Sequence, residues 1–332
     1  MDNIEIDITR HNPHIDPWLS VWEYQIPLYL FLGGITAGLL VLSSLYFLMN
    51  KKEAAPFTVS VATCLAPLFL SIGMFFLFLD LTHKLYVWRL YLTWELTSPM
   101  SWGSWALILI YPVSILYAAM QLPEEYRQNI RDYLKKIPYL KGLWAFVSSL
   151  LDKLYAFADS KQSWAPRLAM INIVMGLFIG IYTGILLSTF IARPFWNTPL
   201  LGVLFLTSGL SGASAVIIMA SKSHREEIGM IKLDLGILIA ELVIMVLIFV
   251  GFLTQSAYHN AAGELVLGGK YTGYFWMLVM LQGILFPIFM EIMELKNVFK
   301  FKYITPISVL IGGLLLRFLF VYIGQYSSVG IY

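Results

Sequence analysis

Glu241, Asp234 and Arg317 stand inside long apolar runs of the chain. An ionisable side chain there is costly, which makes it a candidate for moving protons or for holding helices together. Asp234 precedes Glu241 by seven residues, about two helical turns, so both would face one line through a helical bundle. Asp80 closes another apolar run, and His83 follows three residues later. Two readings stay open for the interior charges: a proton relay to one aqueous side, or a structural Glu241–Arg317 pair. Tyr182 lies about ten residues inside the end of its run, deeper than a headgroup-level aromatic needs to be. Its phenol needs a hydrogen-bond partner there, either a quinone carbonyl or a Ser or Thr of a neighbouring helix.

The same residue census limits the redox chemistry. The single cysteine, Cys64, excludes a cysteine-held iron–sulfur cluster or zinc site within the chain. The five histidines, His11, His14, His83, His224 and His259, fall in the N-terminal tail, at span edges or in loops, which argues against a haem held by two buried histidines. Any electron transfer would therefore use a diffusible organic carrier, and the membrane's own carrier is quinone.

These side chains must be positioned by membrane helices. The 332 residues are 59% hydrophobic and only 13% charged, with mean hydropathy +0.74. A soluble protein could not cover that much apolar surface. A cytosolic enzyme, a disordered chain and a secreted disulfide scaffold are excluded, and a net charge of +2 gives no case for nucleic acid binding. Eight continuous apolar stretches reach the roughly 20 residues that a spanning helix requires: 24–49, 56–80, 101–121, 165–192, 199–221, 229–253, 272–293 and 303–326. The predicted fold is an all-α integral membrane protein with eight transmembrane helices. The first apolar run follows more than twenty polar residues and is too long for a signal-peptide core, so no cleaved leader is expected.

Loops after odd-numbered spans, counted with the span edges, carry sixteen Lys and Arg, against five on the other side (Arg10, Lys84, Arg89, Arg193 and Lys270). That bias predicts odd loops in the cytoplasm and both termini outside, as in a bacterial inner membrane. The expected layout is an extracytoplasmic tail at 1–23, three spans within 24–121, a cytoplasmic amphipathic insert at 122–164 and five spans within 165–332. In the insert Leu134, Ile137, Leu140, Trp144 and Val147 interleave with Lys135, Lys136, Lys141 and Lys153, a pattern suited to the lipid interface. A short echo, "LFLGGITAG" at 30–38 and "LFLTSGLSG" at 204–212, points to two four-helix bundles of like topology, or to chance recurrence of Leu/Phe/Gly strings. Gly34 and Gly38, and the series Gly176, Gly180, Gly184 and Ser188, suit close helix packing. Pro67, Pro112 and Pro287 should kink their spans. Most aromatics on the predicted outer side, among them Trp18, Trp22, Tyr91, Trp94, Trp102 and Trp105, read as an interfacial belt.

Four strings carry a family resemblance: "IPLYLFLGGITAGLL" at 26–40, "FLDL" followed by "SPMSWGSW" within 78–105, "YTGILLSTFIARPFWNTPLLGVLFLTSGLSGASA" at 182–215, and "LRFLFVYIGQ" at 316–325. They resemble the NrfD/PsrC family, the integral membrane subunits of polysulfide reductase and related iron–sulfur molybdoenzymes. The third is the most specific, with Tyr-Thr-Gly, Arg-Pro-x-Trp-Asn and Ser-Gly-Leu in order. The insert at 122–164 is the least family-like part. The resemblance implies an exchangeable quinone or quinol, expected to be menaquinone, bound near the outer face. It also implies a docked four-cluster ferredoxin-like subunit and a catalytic subunit, most often of molybdopterin type, on that face. Residue by residue, it assigns Tyr182 to the quinone head group and places Tyr29 where some relatives carry a histidine facing quinone. A phenol donates a hydrogen bond but does not take up a proton as imidazole does. Asp80 and Glu241 match the family's acids at the end of the second span and within the sixth; His83 is added here as a compensating proton group. The function expected is thus a quinone-reactive membrane anchor with the terminal substrate site on another subunit. A secondary transporter and a purely structural anchor are the alternatives.

Overall fold

The structure, a computed structural model, describes residues 19, 21–136, 143–298 and 301–328. The tail residues Arg10, His11, His14 and Trp18, the insert residues Ile137, Leu140 and Lys141, and Lys300 lie outside them. Among the described residues every regular element is helical.

Among the described residues, eight helical segments are long and apolar enough to cross a membrane, as the apolar runs require. They are α1 (Gln25–Leu48), α2 (Pro56–Asp80), α4 (Pro99–Gln121), α7 (Ala165–Ser188), α8 (Leu201–Ala220), α9 (His224–Thr254), the composite span Thr272–Leu295, and α13 (Ile304–Tyr326). The protein is a multi-pass membrane protein. Shorter helices join them: α3 (Trp88–Leu92), α5 (Glu124–Lys136), α6 (Trp144–Ser160) and α10 (Ala257–Leu267).

The α1 helix is the most enclosed span and packs on α2, α7, α8 and α13. Its close approach to α8 depends on missing side chains. A Cβ on Gly38 would stand 2.5 Å from the Gly209 carbonyl oxygen and 2.6 Å from the Ala213 methyl. The two echo strings therefore meet each other along this crossing. The α7 glycines do the same work, Gly176 against the Ala37 carbonyl and Gly184 against Gly202. Further neighbours are α2 with α4, α4 with α7, α8 with α9 and α13, and α9 and α13 with the composite span.

The composite span comprises α11 (Thr272–Tyr274), a π-helical segment (Phe275–Leu285) and α12 (Phe286–Leu295). Pro287, expected to kink this span, is the second residue of α12. Proline offers no N–H to the preceding turn, and the wider π register lies directly before it. Pro67 and Pro112 lie within α2 and α4 as expected.

The α5–α6 hairpin docks on the ends of α4 and α7. Leu151, Leu154, Tyr155 and Ala158 of α6 pack with Tyr117, Met120, Ala165 and Leu168. Leu143, Phe146, Leu150 and Phe157 remain exposed on the adjoining side. One broad apolar face of α6 is thus half covered by the bundle.

Candidate functional site

A cavity of about 520 Å³ opens among α1, α2, α4 and α7, with Val87, Leu90 and Tyr91 from the α3 region against it. Its walls are mostly aliphatic and aromatic, and its polar groups are few, among them Tyr29, Asp80, Tyr91, Tyr182 and Thr183. The Tyr29 and Tyr182 hydroxyls, 153 residues apart in sequence, lie 3.1 Å from each other and form a hydrogen bond. Both rings are about 6% exposed, so the pair can present a phenolic O–H to a cavity occupant in a setting with little competing water. Phe178 stacks on the Tyr182 ring at 5.9 Å and 6°. Gly103 also lies close against that ring.

Asp80, the last residue of α2, is half-buried and lines the same cavity. His83 does not join it. That ring is exposed and sits edge-on to Tyr86, 6.4 Å between centroids. Tyr91, read from sequence as a belt residue, contributes a third phenol to the cavity wall.

The remaining sequence-predicted residues form a separate group. One face of α9 is buried from end to end and carries Glu226, Asp234 and Glu241 between Met230, Leu238 and Met245. Asp234 stands beside Ser211 of α8 and Glu291 of α12, although neither carboxylate oxygen has a hydrogen-bond partner in satisfactory geometry. Glu241 shares a void of about 10 Å³ with Ser208, Ser211 and the π-segment residue Gly283, a space of single-water size. Gly283 and Gly312 touch across it, a Cβ on either falling under 3 Å from the other's Cα.

Arg317 is 1% exposed, near Glu241 but not joined to it. No ion pair within 4.0 Å links the two among the described residues. Instead Arg317 Nη2 donates to the Phe205 carbonyl at 2.8 Å, and the guanidinium lies 4.3 Å from the Phe205 ring centroid. Its Nε and Nη1 are buried without partners. The direct Glu241–Arg317 ion pair weighed from sequence is not formed within 4.0 Å among the described residues; one guanidinium nitrogen serves a backbone carbonyl and the group lies on an aromatic ring.

Three residues escaped the sequence reading. Glu291 was readable as a carboxylate in the apolar string "FPIFMEIMEL". Glu226 had no such signal in "SHREEIG", yet it is 1% exposed and serves the start of α2. Its carboxylate accepts from Thr58 N and Thr58 Oγ1, both at 2.6 Å, from Phe57 N at 3.3 Å and from Ser221 Oγ at 2.9 Å. Gly103 showed only as part of a string. Among the described residues no group of three or more His, Cys, Asp or Glu is placed to hold a metal ion.

Comparison with known proteins agrees with this architecture. The sequence is 28% identical to a polysulfide reductase polypeptide of Wolinella succinogenes over 319 residues, spanning 92% of this protein and 94% of that one. It is 28% identical to protein NrfD of Escherichia coli, with 92% and 95% covered. It is 24% identical to a selenate reductase polypeptide of Mesobacillus selenatarsenatis, with 91% and 73% covered. The family model described as polysulphide reductase, NrfD, matches residues 9–329, so the protein belongs to that family.

Proposed function

We propose that this protein is the quinone-reactive membrane subunit of an oxidoreductase complex, exchanging electrons between membrane quinone and a docked iron–sulfur subunit. One observation carries this reading: the buried Tyr29–Tyr182 phenol pair on the wall of a mostly apolar cavity of about 520 Å³. A flat head group with two carbonyls and a prenyl tail needs this combination of apolar walls and a few convergent donors. Two of the relatives are named as parts of polysulfide reductase and of selenate reductase, which supports membership in a reductase complex.

Quinone, menaquinone by the resemblance, would supply a two-electron, two-proton couple when bound. Tyr182 and Tyr29 would orient a carbonyl through their shared hydrogen bond. Asp80 would carry protons at the mouth of the cavity, with exposed His83 beyond it as a solvent-side group. Glu241, Asp234 and Glu291 would form a second, buried proton path, with Arg317 balancing their charge. Both oxygens of Asp234 and one of Glu291 lack hydrogen-bond partners among the described residues, and orphaned buried polar atoms are costly unless water or a shared proton serves them.

By the charge bias of the loops, the Asp80 end of the bundle would face outward, with both termini on that side, in the bacterial inner membrane. The partner would dock there. Leu85, Leu92, Trp94 and Leu96 project from that end outside the spans at 64–89% exposure, more apolar surface than solvent-facing loops normally show. The α5–α6 insert would lie on the cytoplasmic side with Phe146, Leu150 and Phe157 toward lipid. The packing of α1, α2, α4 and α7 around one another, and of the last four spans around one another, supports two four-helix bundles related as repeats.

The test is Tyr182→Phe in the assembled complex. Quinone-linked turnover should fall about tenfold or more, the value of one hydrogen bond to a reacting group, while dye-linked activity of the catalytic subunit stays intact. Unchanged quinone-linked turnover would overturn the assignment.

A further inference from the structure

A second cavity, of about 650 Å³, lies at the Asp80 end of the bundle, between the segment before α1, the start of the composite span and the last turns of α13. The segment is firmly tied. Leu19 N donates to the Gln325 carbonyl, while Trp22 exchanges two backbone bonds with the Gln325 side chain at 2.8–2.9 Å. Trp22 also packs against Trp196, with ring centroids 5.2 Å apart and the planes tilted by 33°. Aromatic rings of Trp22, Tyr271, Tyr274, Tyr322 and Tyr326 line the cavity together with the Glu23 carboxylate.

Two opposite charges flank this space without meeting. Glu23 makes no ion pair among the described residues. Lys270 Nζ stands over the rings of Tyr326, at 4.7 Å, and Tyr271, at 5.4 Å, and pairs with no described carboxylate either. An open cavity lined by aromatic rings and one carboxylate favours an ammonium ion, since ring faces are negative. The ammonium on the rim favours an anion. An uncharged ring such as a quinone would leave both charges unused, and a purely anionic ligand would meet Glu23.

The location narrows the source. The cavity is built where α13 ends and the composite span begins, at the level of lipid headgroups, and Tyr274 and Tyr322 are 61% and 40% exposed on its flank. We propose that this cavity binds the headgroup of an amine-bearing zwitterionic phospholipid, its ammonium among Glu23 and the surrounding rings and its phosphate on Lys270. Such a lipid would cement the segment before α1 to the last two spans. This site is independent of the quinone assignment and stands or falls separately from it.

The experiment uses the purified full-length protein in detergent, with native mass spectrometry for retained ligand and the thermal midpoint for stability. Phosphatidylethanolamine, phosphatidylglycerol and soluble glycerophosphoethanolamine are added in parallel. Phosphatidylethanolamine should be retained and should raise the midpoint more than phosphatidylglycerol. Glu23→Gln and Lys270→Gln, both at exposed positions, should each weaken its retention about tenfold, the scale of one charged contact. Their thermal midpoints without added lipid should stay as in the parent protein, which shows that the variants remain folded. Equal retention of the two lipids, or unchanged retention in both variants, overturns the proposal. Saturation by glycerophosphoethanolamine alone would place the ligand in solution and overturn the lipid assignment.

Discussion

A Cβ on Gly103 would fall 2.4 Å from Cε2 and Cζ of the Tyr182 ring and 2.5 Å from its hydroxyl. The phenol that bonds to Tyr29 therefore occupies space that only glycine leaves open, and Phe178 stacks on the same ring. Gly103 is a positioning residue for Tyr182. Gly103→Ala should displace the ring and lower quinone-linked turnover by roughly 10- to 100-fold, since small misplacements at a reacting centre are costly. In a Tyr182→Ala background the same substitution should add almost nothing, because the clash is gone. Independent, additive losses in the double variant would show that Gly103 acts on packing elsewhere.

Glu241 and Arg317 are neighbours without an ion pair, which separates a relay from a scaffold. Glu241→Gln breaks no ion pair within 4.0 Å among the described residues and changes little volume, so the protein should still insert and assemble at near-parent levels. Quinone-linked turnover should slow several-fold or more, on the scale of general acid–base effects. Measuring assembled complex by size exclusion alongside turnover decides the matter. Loss of the complex with normal specific activity in what remains would point to a structural carboxyl.

Much of the fold was readable because lipid enforces a simple rule: about 20 apolar residues per crossing with every backbone group bonded internally. The run read as 229–253 nevertheless belongs to a helix that begins at His224. The extra turn is polar, and nothing in hydropathy shows that Glu226 turns inward to serve another helix. The π register of Phe275–Leu285 was equally silent, since only Pro287 marks it. At the candidate site, Tyr182 stood out because a phenol deep in a span needs a partner. That the partner is Tyr29 follows from the crossing of α1 and α7, which periodicity does not encode. His83 looked like a neighbour of Asp80 by spacing alone. The backbone leaves helical geometry at Leu81, so three residues no longer mean one face.

Glu226 supplies from α9 the cap that the start of α2 lacks locally, where Ala55 offers no side-chain acceptor. Glu226→Ala should strand the Thr58 and Phe57 N–H groups and the two hydroxyls in a buried setting. The expected cost is about 1–3 kcal/mol, read as a lower thermal midpoint of the purified protein. Glu226→Gln keeps one acceptor oxygen and should recover part of the loss. A midpoint unchanged by the Ala variant would show that water takes over the cap.

The Arg127–Asp159 contact sets how the insert responds to acid. Arg127 donates Nη1 and Nη2 to the two Asp159 oxygens at 2.8 and 2.9 Å. It also caps the end of α4 through the Ala119 and Leu122 carbonyls. The hydrogen bonds from Arg127 hold the Asp159 carboxyl below its ordinary range, against a smaller opposing effect of burial. A carboxyl whose folded value is depressed contributes docking energy that is complete above its ordinary titration range and fades as pH falls through the folded value. Asp159 is about half exposed, so its share should be about 1 kcal/mol or less after solvent screening. Limited proteolysis within the 122–164 segment should thus be flat from about pH 8 to 6 and quicken only in strong acid. Asp159→Asn should remove the acid dependence, whereas Arg127→Ala should open the hairpin at every pH because the α4 cap goes with it. Acid sensitivity that persists in Asp159→Asn would assign the effect to another carboxylate, with Asp152, bonded to Arg131 at 2.7 Å, the next to test.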